Sequence, residues 1–345
     1  MKTASLPRLH QRGPGHAGEE EEVSRRPLEE TLLALRRVRE SPGTEESRQE
    51  LRHVLSSEGS HAVARAAAVV GELGLEALIP DLVAAFPRFF DGLPRADPGC
   101  SAKTAIVEAL RRLEHDVPAL YRRGAAHVQR EPVYGGRVDT AVDLRGASAL
   151  ALAETAGADV LVDLANLLAD PEPPVRISAA RAVAVHGRGS GIPLLHLKAL
   201  AGDMEPRVVS ECLLALLRLD AAGEIRFVAS FLEKGDEAAE EAAVALGESR
   251  LAEGLPVLRE WLEPARRRGL GRTALFAIAS LRRDEAVDLL LSLVRDEEPA
   301  TAREALAALS SIGSDAGLYG RAKAVVEARP ELREALARAF SRERP

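Results

Sequence analysis

The chain predicts an all-α solenoid (an alpha-alpha superhelix) of about eight helical pairs with a C-terminal helical cap. Three observations carry that prediction. A stretch from Asp170 to Gly187, in which a turn rich in acid and proline opens onto an alanine-rich helix closed by glycine, returns in degraded form along most of the sequence. Amphipathic segments alternate with these alanine-rich ones, so each unit pairs an outer helix with a buried inner helix. Aromatics are 3% and hydrophobics 46% of the chain, so the core must be Ala, Leu and Val, side chains suited to helix-on-helix contact. Period-two runs and Asn-Gly turns, the marks of strands, are not found.

Residues 1–26, with Pro7, Pro14 and the run Glu19 to Glu22, read as a disordered acidic tail. From 27 to 345 the chain reads as one solenoid, with irregular repeats over 28–157, regular repeats over 158–313 and a cap over 315–341. In the irregular part, Leu28 to Glu40, Glu45 to Leu55 and His61 to Leu73 read as helices, and Leu75 to Phe90 as an outer helix interrupted or bent at Pro80 and Pro87. A long turn, 91–99, leads to an inner helix from Ser101 to Leu113. The outer helix Val117 to Gln129 then leads through a second long turn, 130–139, to an inner helix from Asp143 to Thr155 closed by Gly157.

Beyond that point the units tighten. Val160, Leu161, Leu164, Leu167 and Leu168 line one face of an outer helix. Its inner partner starts at the turn holding Asp170, with Pro173 and Pro174 in the first helical turn, where no hydrogen bond is lost. Gly187 ends that helix in the left-handed conformation. Asp203 with Pro206, and Asp296 with Pro299, repeat the three-residue offset of Asp170 with Pro173. The recurring interval, about 30 to 33 residues, is that of a solenoid. The outer segments are Ile192 to Ala201, Glu224 to Leu232, Leu255 to Leu262 and Ala286 to Val294. The inner ones are Arg207 to Leu219, Asp236 to Leu246, Arg272 to Leu281 and Pro299 to Leu309. Ala316 to Ala328 and Glu331 to Phe340 finish the chain with a more polar surface.

A formal net charge of -7 argues against a simple electrostatic nucleic-acid binder. Cys100 and Cys212, far apart in the sequence, suit a reduced, cytoplasmic protein. No apolar run reaches membrane-spanning or signal-peptide length. The preference for Arg over Lys, together with the abundance of Ala, points to a bacterial source.

The units resemble HEAT repeats of the short bacterial kind, the PBS-lyase HEAT-like repeats, through Asp170, Pro173, Val175, Arg176, Ala179, Ala180 and Gly187. Asp203, Pro206 and Val208 match in part, as do Asp296, Pro299 and Ala305. The resemblance spans about residues 28 to 313, and is strongest from 158 onward. It implies that turn Arg and Asp residues bond from unit to unit, giving Arg176 and Asp170 structural roles. Arg207 and Val209 depart from the pattern and weaken that ladder. A curved, non-catalytic scaffold that binds another protein on its inner-helix face and long loops is the implied function. The alternatives are a nucleic-acid-binding protein like the HEAT-like DNA glycosylases, or a subunit chaperone like the bilin lyases; no catalytic motif of either is matched.

Phe86 to Arg145 is the most unusual region, because it combines both long turns with much of the aromatic content. Phe89, Phe90, Arg123, His127, Arg130, Tyr134 and Arg137 are the candidate partner-binding residues, weighed against rings that only fill gaps between irregular repeats. Tyr134-Gly135-Gly136-Arg137 reads as a tight turn rather than a phosphate loop. Scattered histidines, with no paired cysteines, predict no metal site, and no cofactor motif is found. Cys100 follows Pro98-Gly99, a position open to solvent, but reads as an ordinary thiol. Arg266 to Arg272 reads as a solvated basic turn, and Trp261 as core.

Overall fold

In a computed structural model the described residues are 30–57, 59–92, 95–155, 159–313 and 316–341. The acidic tail at 1–26, the helix start at Leu28, Gly157, Leu93 and Pro94 of the 91–99 turn, and the first cap residue, 315, lie outside them. The chain forms two compact units that divide between Leu144 and Arg145.

The first unit holds α1 (30–40), α2 (Glu45–Ser56), α3 (Ser60–Glu72), α4 (Ile79–Ala85), α5 (Ser101–Arg112) and α6 (Pro118–Ala125). Thr44 caps α2 by accepting from the Ser47 N–H at 3.2 Å, and Glu45 and Glu46 sit in the first turn, where the helix dipole favours them. Helices α3 and α5 lie side by side, close enough that a Cβ built on Gly71 would come within 2.9 Å of the Ala109 Cα. Around Pro80 and Pro87 the predicted outer helix divides into three pieces: a 3-10 turn Glu76–Leu78, α4, and a second 3-10 turn Phe86–Phe90. Each proline stands in the first turn of a new piece, the one place where its missing N–H loses nothing.

Between 126 and 139 the structure differs from the expected helix and turn. Helix α6 stops at Ala125 instead of running to Gln129, and the expected turn is a hairpin of β1 (Arg130–Val133) and β2 (Gly136–Asp139). The Gln129 amide is drawn into contacts described below, which a continuing helix would forbid. Gly135, at φ 89, takes the left-handed second position of a tight turn, as expected.

α7 (Val142–Ala153) spans the division between the units. The second unit continues with α8 (Val160–Leu168), α9 (Pro173–His186), α10 (Ile192–Ala201), α11 (Pro206–Leu219), α12 (Ala221–Phe231), α13 (Asp236–Ser249), α14 (Gly254–Arg267), α15 (Gly271–Ser280), α16 (Asp284–Asp296), α17 (Pro299–Ile312), α18 (Ala316–Val326) and α19 (Arg333–Phe340). Helices α9, α11, α13, α15, α17 and α19 pack in sequence as an inner row, each paired with the even-numbered helix before it. The second unit thus shows the stacked helical pairs of the predicted all-α solenoid.

Middle units show why such a helix cannot stand alone. In α11, Val208, Val209 and every residue from Cys212 to Leu217 are buried, because α9, α10, α12 and α13 cover it on several sides. Each buried leucine contributes roughly 1.5–3 kcal/mol. Gly187 ends α9 at φ 70, as expected. Trp261 is buried in α14.

The turn aspartates repeat one geometry. Asp170 Oδ1 accepts from the Glu172 N–H, and Asp203 Oδ1 from the Glu205 N–H, both at 2.8 Å. Arg145 reaches Asp170 at 2.8 Å and Arg176 reaches Asp203 at 2.6 Å, which forms the unit-to-unit ladder that the resemblance implied. Burial alone would raise the Asp203 carboxyl. Hydrogen bonds from Arg176, Lys198 and the Glu205 N–H outweigh that and hold it well below the usual carboxylate range. Where Val209 departs from the pattern, Ser210 Oγ donates to the Glu241 carbonyl at 3.1 Å. The basic run at 266 to 272 is not simply solvated. Arg268 donates to Asp236 and to the carbonyls of Leu232 and Lys234, while Arg266 pairs with Glu263 and Glu297.

Candidate interaction site

The site in the first unit begins with a lysine where the helix pattern demands an apolar residue. Lys103 occupies the same face of α5 as Ile106, Val107 and Leu110, and its side chain is 0% exposed. A buried ammonium is tolerable only if each proton finds an acceptor. Its Nζ lies 3.3 Å from Asp97 Oδ2 and donates to the Phe89 carbonyl and to Gln129 Oε1, each at 3.1 Å.

Asp97 is buried as well and serves α5 as a cap. Its Oδ1 accepts from Ser101 Oγ and the Ala102 N–H, and its Oδ2 from the Lys103 N–H. The intervening Gly99 and Cys100 take positive φ, 68 and 54, to bring the carboxylate over the helix end. Gln129 Nε2 donates to the Asp97 carbonyl at 2.8 Å and to Glu131 Oε1 at 2.7 Å. The same Glu131 oxygen accepts from Thr140 Oγ1 and the Gly99 N–H, each at 2.7 Å. Hydrogen bonds from Thr140, Gln129 and Gly99 together hold the Glu131 carboxyl below its ordinary value. The 95–99 part of the first turn and both ends of the hairpin are thereby tied to α5.

The seven candidate residues divide into three groups. Phe89 belongs to the core. Phe90, Arg123 and His127 come together: the Arg123 guanidinium stands 3.9 Å over the Phe90 ring, and His127 meets that ring edge-on at 4.9 Å. Arg130, Tyr134 and Arg137 lie on the hairpin and are exposed, with Tyr134 at its tip fully in solvent. Asp97, Lys103, Gln129 and Glu131, which hold this arrangement, escaped the sequence reading. The available signal was Lys103 itself, a charge in the buried register of an alanine-rich helix.

Cys100 is buried, not exposed, and burial pushes its thiol up to about 11; burial likewise pushes Cys212 up to about 12. Neither is a thiolate at neutral pH. Among the described residues, no group of three or more His, Cys, Asp or Glu side chains is placed to hold a metal ion. Nor is any described helix long and apolar enough to cross a membrane.

The second unit has surface features of its own. Leu197 and Leu200 on α10 and Met204 just beyond it are exposed apolar side chains. A groove of about 540 Å³ at the ends of α11, α13 and α15 is lined by Arg218, Glu248, Arg250 and Arg282.

No protein-family model and no curated protein matches the chain. Among solved structures, it is similar to an engineered protein at 17% identity, covering 95% of this chain and 96% of that one, with a TM-score of 0.34. It is also similar to human deoxyhypusine hydroxylase in complex with glycerol, at 18% identity over 79% of this chain and 98% of that one, TM-score 0.32. A third is the CpcE and CpcF complex of phycocyanin lyase from Nostoc sp., at 16% identity over 85% of this chain and 92% of that one, TM-score 0.28.

Proposed function

We propose that the chain is a protein-interaction scaffold whose first unit captures a partner protein through the 130–139 hairpin and the adjoining Phe90, Arg123 and His127 stack. The observation that carries this reading is the contrast between the two ends of the hairpin. Its base is tied down by the buried Asp97, Lys103 and Gln129 and the half-buried Glu131, while Tyr134 at its tip is fully exposed. Tyrosine and arginine supply much of the binding energy at protein interfaces, and a site gains precision when a rigid element presents it. A net charge of -7 directs the choice of partner toward protein rather than nucleic acid.

The test is affinity capture with mass spectrometry from a lysate of the source organism, comparing the wild-type chain with the double variant Tyr134→Ala, Arg137→Ala. Reduced capture with unchanged helicity and melting supports the reading. Identical capture by both proteins removes the hairpin from the site.

A further inference from the structure

The hairpin's register decides which of its edges can accept another strand. The Thr140 N–H donates to the Gln129 carbonyl at 2.8 Å, which makes Gln129 and Thr140 a hydrogen-bonded pair. Antiparallel ladders alternate, so Glu131 with Val138, and Val133 with Gly136, are hydrogen-bonded pairs as well. The intervening pairs, Arg130 with Asp139 and Pro132 with Arg137, direct their main-chain groups away from each other. Pro132 suits such a position, because it has no N–H to offer.

The two outer edges therefore differ. On β1 the outward position at Pro132 lacks a donor, a common device that keeps an edge from pairing. On β2 the matching position is Arg137, with both N–H and C=O directed outward, and residues 136–138 are exposed. Side chains of paired residues share a face, so Arg130, Pro132, Arg137 and Asp139 lie on one side and Glu131, Val133 and Val138 on the other; the Asp139 carboxylate is engaged by the Gln129 and Ala141 N–H groups. Val133 and Val138 remain 47% and 44% exposed. A strand laid along β2 would thus meet Arg137 on one face, next to the already hydrogen-bonded Asp139, and the half-exposed Val138 on the other.

We propose that the free edge of β2 takes an extended segment of a partner protein in which acidic and apolar side chains alternate, adding a third strand to the hairpin. This deepens the scaffold reading and rests on it. Main-chain hydrogen bonds at Arg137 supply affinity, and the alternation supplies selectivity. A second copy of this chain, paired so that Arg137 faces the other copy's Asp139, is the rival occupant, and self-association of the wild-type chain in sedimentation that Arg137→Pro abolishes would overturn the proposal.

The probe is a short fluorescent peptide alternating valine and glutamate, followed by anisotropy with the full chain. Binding should weaken about tenfold or more with Arg137→Pro, which removes the outward N–H at a position the hairpin's own ladder does not use, and similarly with Arg137→Glu. A valine-lysine peptide should not bind. Thermal melting of both variants checks the fold, and Arg137→Glu, which keeps the backbone N–H, tests the charge separately. Equal affinity of wild type and Arg137→Pro, equal binding of the lysine peptide, or no binding of the glutamate peptide to wild type would each overturn strand addition. The scaffold reading survives those results if Tyr134→Ala, Arg137→Ala still loses its captured partner, and falls with strand addition if capture is unchanged.

Discussion

The unit ending at Leu144 gathers its buried charges, Asp97 and Lys103, in one cluster, whereas the unit beginning at Arg145 sets Arg–Asp pairs at intervals along a ladder. In the first, Lys103, Asp97, Gln129 and Glu131 satisfy one another, and one ammonium serves Asp97, the Phe89 carbonyl and Gln129 Oε1 together. In the second, Asp203 is served by both Arg176 and Lys198, at 2.6 Å and 2.7 Å, and Arg176 also donates to the carbonyls of Asp170 and Pro171. Sharing makes the ladder tolerant of a lost member. The cluster gathers three acceptors on one cation, so its loss is felt at all three, and in exchange it fixes an irregular pair of turns that no repeat pattern would hold.

Lys103→Met breaks the comparison most sharply. Methionine preserves the volume, so no cavity confuses the result, but the Phe89 carbonyl loses the ammonium, Gln129 Oε1 keeps only the longer His127 contact at 3.3 Å, and Asp97 loses its counter-charge. The expected loss is about 3–5 kcal/mol, read from urea denaturation of the full chain. A loss below about 1 kcal/mol would mean that water enters and replaces the ammonium.

Arg176→Met tests the ladder in the same way. Asp203 keeps Lys198 and the Glu205 N–H, so the expected loss is smaller, about 2 kcal/mol, by the same measurement. If this variant proves as damaging as Lys103→Met, the ladder is not redundant and the contrast between the units fails.

The solenoid was legible because it follows from local chemistry repeated many times. Asp170 with Pro173 opens a helix, Gly187 closes it, and the Ala179 and Ala180 register lets neighbours approach, all within one short window. The hairpin was not legible, because what ends α6 is tertiary: Gln129 leaves the helix to reach Lys103 and Asp97, far away in sequence. Neither strand of this hairpin shows a sustained apolar alternation, and Tyr134-Gly135 is a weaker hairpin signal than Asn-Gly. The grouping of the site residues was half legible. Aromatic and arginine content marked the region, but Phe89, adjacent to Phe90, turned inward to the core, a distinction that only the 3-10 turn at Phe86–Phe90 decides.

One device is common to both units and should respond alike in each. Gly71 on α3 and Gly247 on α13 let the neighbouring inner helix come within contact of the backbone. An added Cβ would stand 2.9 Å from the Ala109 Cα in one case and 2.5 Å from the Ala277 carbonyl oxygen in the other. Neither obstacle is a flexible side chain that could swing away. Gly71→Ala and Gly247→Ala should each cost about 1–3 kcal/mol, although alanine favours a helix by about 1 kcal/mol over glycine. Stabilisation of either variant in thermal melts would show that the rows can spread apart without penalty.

Acid should separate the two arrangements by order of loss rather than by size. Both Glu131 and Asp203 are held below their ordinary values, 4.5 and 3.8 respectively. A carboxyl depressed in the folded state contributes its stability fully above the unfolded value, and that contribution disappears as pH falls through the folded one. Glu131 begins from the higher value and lies nearer solvent, so its contribution is under about 1 kcal/mol. Asp203, held by Arg176, Lys198 and a backbone N–H, keeps its proton off further into acid. In an NMR titration the Gly99 amide, which donates to Glu131, should therefore shift at higher pH than the Glu205 amide, which donates to Asp203. Glu131→Gln should abolish the first transition and leave the second. If the Glu205 amide moves first, the ladder carboxylate is more weakly held than the hairpin's, and the ranking of the two units reverses.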